Sequence, residues 1–240
     1  MYFGGREPLL INDTHSHPLT LEKSVIYSSN IHSYLGVPIL YKNGDMFGAL
    51  CVMDSIKGDF KEEDFKILEK FSALFTSVIE LEKQVTFDSL TGLYTRNYFY
   101  ENFDNFINKG TLMLLDLDGF KQVNDNNGHD VGDIVLKEVA ERITEILSED
   151  GIGVRIGGDE FVIYFPNLID TSSIKDKGKS IKNALSDWES IPYNVNISAS
   201  IGIVKFESDE LNLSTLLKVA DTAMYHAKNK GKNSCHFLSI

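Results

Sequence analysis

The apolar positions of this 240-residue chain change period along its length. From 1 to about 60 the apolar runs are short and strand-like: PLLI (8–11), YLGVPILY (34–41) and MFGALCVMD (46–54). KNGD separates the last two, and Asn43-Gly44 suits the positive φ of a hairpin turn. From Lys61 to Val85 the pattern turns helical. Ile67, Phe71, Leu74, Val78, Leu81 and Val85 recur at alternating steps of four and three, the a/d seam of a heptad. Phe65, Leu68, Phe75 and Ile79 form a second stripe on a neighbouring face. One stripe can pack on the front strands while the other meets a partner helix. Periodicity alone equally allows one wide core-facing stripe on a monomer.

A second regime begins at DSLTGLYTRNYF (88–99), with helix expected to about Asn108 and then a strand, TLMLLDLD (111–118). A helix from about Val131 to Leu147 sets Leu136, Val139, Ala140, Ile143 and Leu147 on one face. VRIGGDEFVIYF (154–165) reads as a β-hairpin with Asp159 and Glu160 side by side at its tip. A helix near 173–187 follows. VNISASIGIVKF (195–206) is a strand that buries Val195, Ile197, Ala199, Ile201 and Ile203 on one face. A last helix, about 214–229, stops at Gly231, and SCHFL (234–238) closes as a strand. Helices interleaved with strands, one pair of them a hairpin, predict an α/β sandwich with a mixed sheet. The expected division is 1–60, a linking helix at 61–86, and 87–240.

Composition narrows the function classes. A hydrophobic content of 42% supports ordinary packed cores. The apolar runs are far too short to span a bilayer, and no basic-then-apolar leader opens the chain, so a cytoplasmic protein without membrane insertion is expected. Cys51 and Cys235 have no metal-ligand spacing and read as reduced thiols in apolar strands. A net charge of -12 argues against nucleic-acid binding. It remains compatible with a nucleotide held through Mg²⁺, which lets carboxylates approach phosphates.

The candidate chemistry lies in LLDLDGFKQVNDNNGHDVGD (114–133) and in the hairpin. Acids where a buried strand meets its loop, Asp116 and Asp118, can hold a divalent cation beside a phosphate. Asp118-Gly119 also marks a turn, and Asp116 is expected on the opposite strand face from Asp118. Lys121 can reach a phosphate as a point charge. Asn124 offers donor and acceptor, as a base edge requires, and Asp133 can accept the two N–H donors of a guanine edge. Singly, each of these residues is also an ordinary loop residue. Together with two acids at a hairpin they are hard to assign to turns alone.

Residues 86–240 resemble the GGDEF domain of diguanylate cyclases. The resemblance rests on DSLTGLYTRNYF, DLDGFKQVNDNNGHDVGD, GGDEF at 157–161 and ADTAMYHAKNKGKN (220–233), in that order. It implies a palm-like fold, as in nucleotide cyclases and polymerases, with a central mostly antiparallel sheet flanked by helices. It also implies condensation of two GTP into cyclic di-GMP with release of two pyrophosphates by a homodimer of facing domains. By the same resemblance Gly157 and Gly158 let the hairpin backbone approach GTP. Asp116, the Leu117 carbonyl and Glu160 hold Mg²⁺ (or Mn²⁺), and Asp159 is the candidate general base, with metal and base roles shareable between Asp159 and Glu160. Lys121 becomes a phosphate ligand, Asn124 and Asp133 the guanine contacts, and Lys228 a ligand of the terminal phosphates. Lys232 stands where the family more often has Arg. Both lysines also suit a helix C-terminus, which attracts cations.

The family's inhibitory product site, Arg-x-x-Asp, maps onto Ser148, Glu149, Asp150 and Gly151, so neither key residue is present. YLGVPILYKNGDMFGALCVMD with the helix after it resembles the C-terminal half of a GAF domain, a small-molecule or redox sensor. It implies an N-terminally truncated, partial domain with an open sheet edge and gives no ligand. A structural, dimerising remnant fits it as well as a working sensor. The rival to an active cyclase is a non-catalytic receptor that binds GTP or cyclic di-GMP and signals by protein contacts. A cyclase that also accepts ATP is disfavoured by Asp133.

Overall fold

The KNGD turn joins two strands that form the spine of a small sheet. In this computed structural model, which describes residues 5–103, 109–147, 151–189, 191–193, 195–207 and 211–240, the first elements are β1 (Leu9–Ile11), α1 (Ser24–Ser28), β2 (Ser33–Leu40) and β3 (Met46–Asp54). The three strands are antiparallel in the order β1-β2-β3. At the turn Gly44 takes φ 86°, and the Tyr41 N–H donates to the Asp45 carbonyl at 2.8 Å. β3 is an edge strand with Phe47 54% and Met53 41% exposed, an open edge as expected.

The helical stretch, α2 (Glu62–Thr86), lies along β2. Leu68 joins Leu35 and Val37 in a small core. The Ser72 hydroxyl donates to the Pro38 carbonyl at 2.6 Å and the Thr76 hydroxyl to the Leu40 carbonyl at 3.1 Å. The heptad seam is a different face. Its six residues are exposed by between 46% (Val78) and 61% (Leu81).

Contacts separate this unit, Met1–Lys83, from a second, Gln84–Ile240. The second contains β4 (Tyr94–Thr95), α3 (Arg96–Asn102), β5 (Gly110–Asp118), α4 (Phe120–Asn127), α5 (His129–Leu147), β6 (Ile152–Gly157), β7 (Glu160–Pro166), α6 (Thr171–Ala184), β8 (Ser198–Phe206), α7 (Leu213–Asn229) and β9 (Ser234–Ser239). Its six-stranded sheet has the order β4-β6-β7-β5-β8-β9. The pairs β4–β6 and β8–β9 are parallel and the others antiparallel, the expected mixed sheet flanked by helices.

Alternation along the central strand β5 sorts the core into two layers. Met113, Leu115 and Leu117 pack with α5 residues such as Val135 and Val139. Leu112 and Leu114 pack with Phe99 of α3 and with Leu216 and Ala220 of α7. Helix α7 approaches β8 so closely that a Cβ on Gly202 would lie 2.0 Å from the Ala220 carbonyl oxygen. Only glycine fits there.

Three boundaries differ from the sequence pattern. The strand expected from Val195 begins at Ser198. Ile197 is buried, but its carbonyl accepts from Trp188 Nε1 at 2.9 Å. The helix expected near 173–187 is capped earlier, where the Asp170 carboxylate accepts from the Ser173 N–H, and it ends at Ala184. Helix α3 ends at Asn102, and most of the remaining turn expected to Asn108 lies outside the described residues. Both cysteines are free thiols.

Candidate active site

The expectation that Asp116 and Asp118 face opposite ways fails. β5 runs through both, and residues two apart on a strand share a face. Both lie on the side of α7, and their partners separate them. Asp116 Oδ2 is 2.8 Å from Lys228 Nζ, near the end of α7. Asp118 is buried, and its carboxylate accepts from the hydroxyls of Ser198 (3.2 Å) and Ser200 (2.9 Å) and from the Asn233 backbone N–H (3.1 Å). Asp118 is therefore consumed in tying β5 and β8 to the loop after α7. That loop holds Lys232 and Asn233 with φ 65° and 42°, a left-handed path that needs fixing.

β6 and β7 meet at a two-residue turn, Gly158-Asp159, closed by the pairing of Gly157 with Glu160. Gly158 supplies the left-handed φ of 54° that this turn requires. Asp159 sits at the tip, and Glu160 is the first residue of β7, directly across from Asp116 in the β5–β7 register. A Cβ on Gly157 or Gly158 would meet nothing within 4 Å, so the space beside the tip is open.

The acids perturb one another. Burial raises Asp159 from its ordinary value, and the charge of Asp116 raises it further. Glu160 is raised by burial, then by Asp116 and Asp159, with Lys228 opposing. A cation would relieve this crowding. Among the described residues no three His, Cys, Asp or Glu side chains converge as a ready metal cage. Mg²⁺ does not need one, since it takes one or two carboxylates and completes its shell with phosphates and water. Asp116, Glu160 and the Leu117 carbonyl are hard oxygen donors of that kind, and the donor set fits the ion.

The remaining expected residues fall into two groups. Asp116, Leu117, Lys121, Asp159, Lys228 and Lys232 all line one cleft of about 280 Å³. Asn124 and Asp133 lie apart from it on the α4–α5 hairpin. Asn124 Oδ1 is buried with no hydrogen-bond partner, and it approaches α5 where Gly132 leaves room. An orphaned buried acceptor is costly unless something else satisfies it. Asp133, next to it, is exposed. Of the two positions of the absent product-site pair, 148 lies outside the described residues. At Gly151 a Cβ would lie 2.7 Å from the Leu147 carbonyl oxygen, so an aspartate there strains the end of α5.

One ion pair escaped sequence reasoning. Arg155 of β6 reaches Asp88 at 3.1 Å and donates to the Gly158 carbonyl at 2.9 Å. Asp88 also accepts from the Thr91 N–H and hydroxyl at 2.9 and 2.7 Å. The turn that carries Asp159 is thus clamped to DSLTG, just after α2. The signal was available: an Asp three residues before a Thr in a Gly turn, and an Arg two residues before the double glycine.

Comparison with known proteins adds identity to this geometry. Residues 85–234 match the profile of the family described as "Diguanylate cyclase, GGDEF domain". The chain belongs to that family. Residues 3–79 match the GAF domain profile. The bifunctional diguanylate cyclase/cyclic di-GMP phosphodiesterase MucR of Pseudomonas aeruginosa is 35% identical over 73% of this chain, which spans 27% of MucR. Diguanylate cyclase DgcP of Escherichia coli is 30% identical over 87% of the chain and is covered over 67% of its own length. Among solved structures, the GGDEF domain of PA1120 (TpbB or YfiN) from P. aeruginosa superposes with TM-score 0.57 at 29% identity, covering 63% of this chain and 93% of that one. The coiled coil and GGDEF domain of DgcB from Caulobacter crescentus, solved with c-di-GMP, has TM-score 0.64 at 24% identity over 73% of this chain and 96% of that one. The latter bears on fold alone. No helix among the described residues of this GGDEF protein is long and apolar enough to cross a membrane.

Proposed function

We propose that this chain condenses two GTP into cyclic di-GMP and releases two pyrophosphates. One observation carries the reading: Asp116, Asp159 and Lys228 share a cleft with two further lysines, and Glu160 faces Asp116 across the sheet. Mg²⁺ bound by Asp116, Glu160 and the Leu117 carbonyl would neutralise phosphate charge and favour the ionised form of the attacking hydroxyl. Asp159 then accepts the proton of the ribose 3′-hydroxyl, and its raised affinity for protons suits that task. Lys121, Lys228 and Lys232 hold the triphosphate. Asn124 and Asp133, on α4 and α5, are the contacts for the guanine edge.

One cleft holds one GTP, so two domains must face each other. The exposed seam Ile67, Phe71, Leu74, Val78, Leu81 and Val85 is the surface for this homodimer, as the a/d face of a two-stranded coil. Incubation with GTP and MgCl₂, followed by nucleotide chromatography, tests the reading. Asp159→Ala and Glu160→Ala are expected to abolish product while the fold survives, because neither side chain belongs to a core. Undiminished turnover in both variants overturns it.

A further inference from the structure

The two hairpin acids open on different clefts. Asp159 lines the cleft that carries Lys121, Lys228 and Lys232. Glu160 lines a second one, of about 340 Å³, between α3 and α7. The clefts adjoin at the paired positions Asp116 and Glu160, one acid on each. The second cleft is floored by apolar Leu114, Ile156 and Leu217 and carries Arg96, Tyr100 and Lys218.

Arg96 opens α3 with its guanidinium 5.2 Å from the Tyr100 ring centroid, a cation–π contact that leaves its charge unneutralised. Among the described residues neither Arg96 nor Lys218 forms an ion pair, although Glu160 and Asp221 line the same cleft. In a chain of net charge -12, two free cations beside a tyrosine at a reacting carboxylate call for an anion from elsewhere.

We propose that this cleft receives the reacting phosphate of the GTP held by the facing domain, with Arg96 and Lys218 acting in trans. The inference rests on the cyclase reading. In each step the 3′-oxygen of one GTP gives its proton to the hairpin carboxylate and forms a bond to the α-phosphorus of the other. The bond from that phosphorus to the β-phosphate oxygen breaks, and pyrophosphate leaves with the electron pair. The lysines of the first cleft hold their own nucleotide. Charge that builds on the incoming α-phosphate then needs donors on the far side of Glu160, where Arg96 stands. The guanylyl phosphate of free product has the same chemistry, so the test must separate the two sources.

The test uses the full chain and the variants Arg96→Ala, Arg96→Lys and Lys218→Ala. Three quantities are read: initial rate with and without added cyclic di-GMP, affinity for a non-hydrolysable GTP analogue, and melting temperature. Arg96→Ala is expected to lower kcat roughly 100-fold, the effect of losing one transition-state donor. Analogue affinity and melting temperature should stay at the parent values, since Arg96 is exposed and lies outside the chain's own nucleotide cleft. Lysine at 96 should restore part of the rate, and Lys218→Ala should show a smaller loss. An unchanged rate in Arg96→Ala overturns the inference, as does a loss of rate matched by a loss of analogue affinity. An unchanged rate with altered inhibition by cyclic di-GMP also overturns it and makes the cleft a product site. If the unmodified chain makes no cyclic di-GMP, the cyclase reading itself fails, an outcome distinct from the others.

Discussion

Two carboxylates two residues apart on one strand end do unlike work here. Asp116 meets a lysine in an open cleft, whereas Asp118 is buried under three donors. Asp118→Asn keeps the shape but loses the charge and turns an amide towards a donor, so a loss of about 1–3 kcal/mol in stability is expected by thermal melting. Because Asp118 anchors the loop of Lys232, its KM effect for GTP should be non-additive with that of Lys232→Ala. Additive effects would separate the two. At Asp88 burial opposes ionisation, but Thr91 and Arg155 outweigh it and hold the carboxyl below its ordinary 3.8. With the folded value below the unfolded one, this contribution is full above about pH 4 and is lost as pH falls through the folded value. Asp88→Asn should therefore lower the melting temperature at neutral pH and narrow its gap to the parent on acidification. A constant gap at all pH would contradict this. Of these roles, the sequence showed the acids and their spacing. It could not show that Asp118 is consumed by Ser198, Ser200 and Asn233, since those partners are some eighty residues or more away.

At the level of elements, legibility followed periodicity. α2, α5, β5 and α7 repeat apolar residues over many turns or alternations, and their boundaries were readable to within a few residues. α1, with five residues, and β4, with two, carry no period at all. The Val195–Ile197 segment alternates like a strand but spends its last carbonyl on Trp188. The seam on α2 has its own test. Val78→Glu with Leu81→Glu places like charges in the coil and should shift the protein to monomer in sedimentation equilibrium. Both residues are about half exposed in the single chain, so the melting temperature of the monomer should change little. Rate per chain should fall together with dimer content. A dimer that persists through both substitutions would move the interface elsewhere.

For the whole molecule, an acidic chain gathers its cations in one cleft. A chain of net charge -12 concentrates three lysines where a triphosphate would lie, and keeps two half-buried acids at the hairpin beside them. The missing Arg-x-x-Asp pair predicts that micromolar cyclic di-GMP leaves the initial rate nearly unchanged. Losing a charge-assisted contact to phosphate weakens such binding on the order of a hundredfold. Rebuilding the pair with Ser148→Arg and Gly151→Asp now carries a cost, because the new Cβ meets the Leu147 carbonyl. Some loss of thermal stability is expected beside any gain in inhibition. The most direct test of the central claim is chromatographic analysis of GTP and MgCl₂ incubated with the unmodified chain and with Glu160→Gln. Cyclic di-GMP with two pyrophosphates per molecule is predicted from the first and none from the second, with GTP consumed only by the first. Tight retention of GTP or cyclic di-GMP without any turnover by the unmodified chain would contradict it and leave a nucleotide receptor.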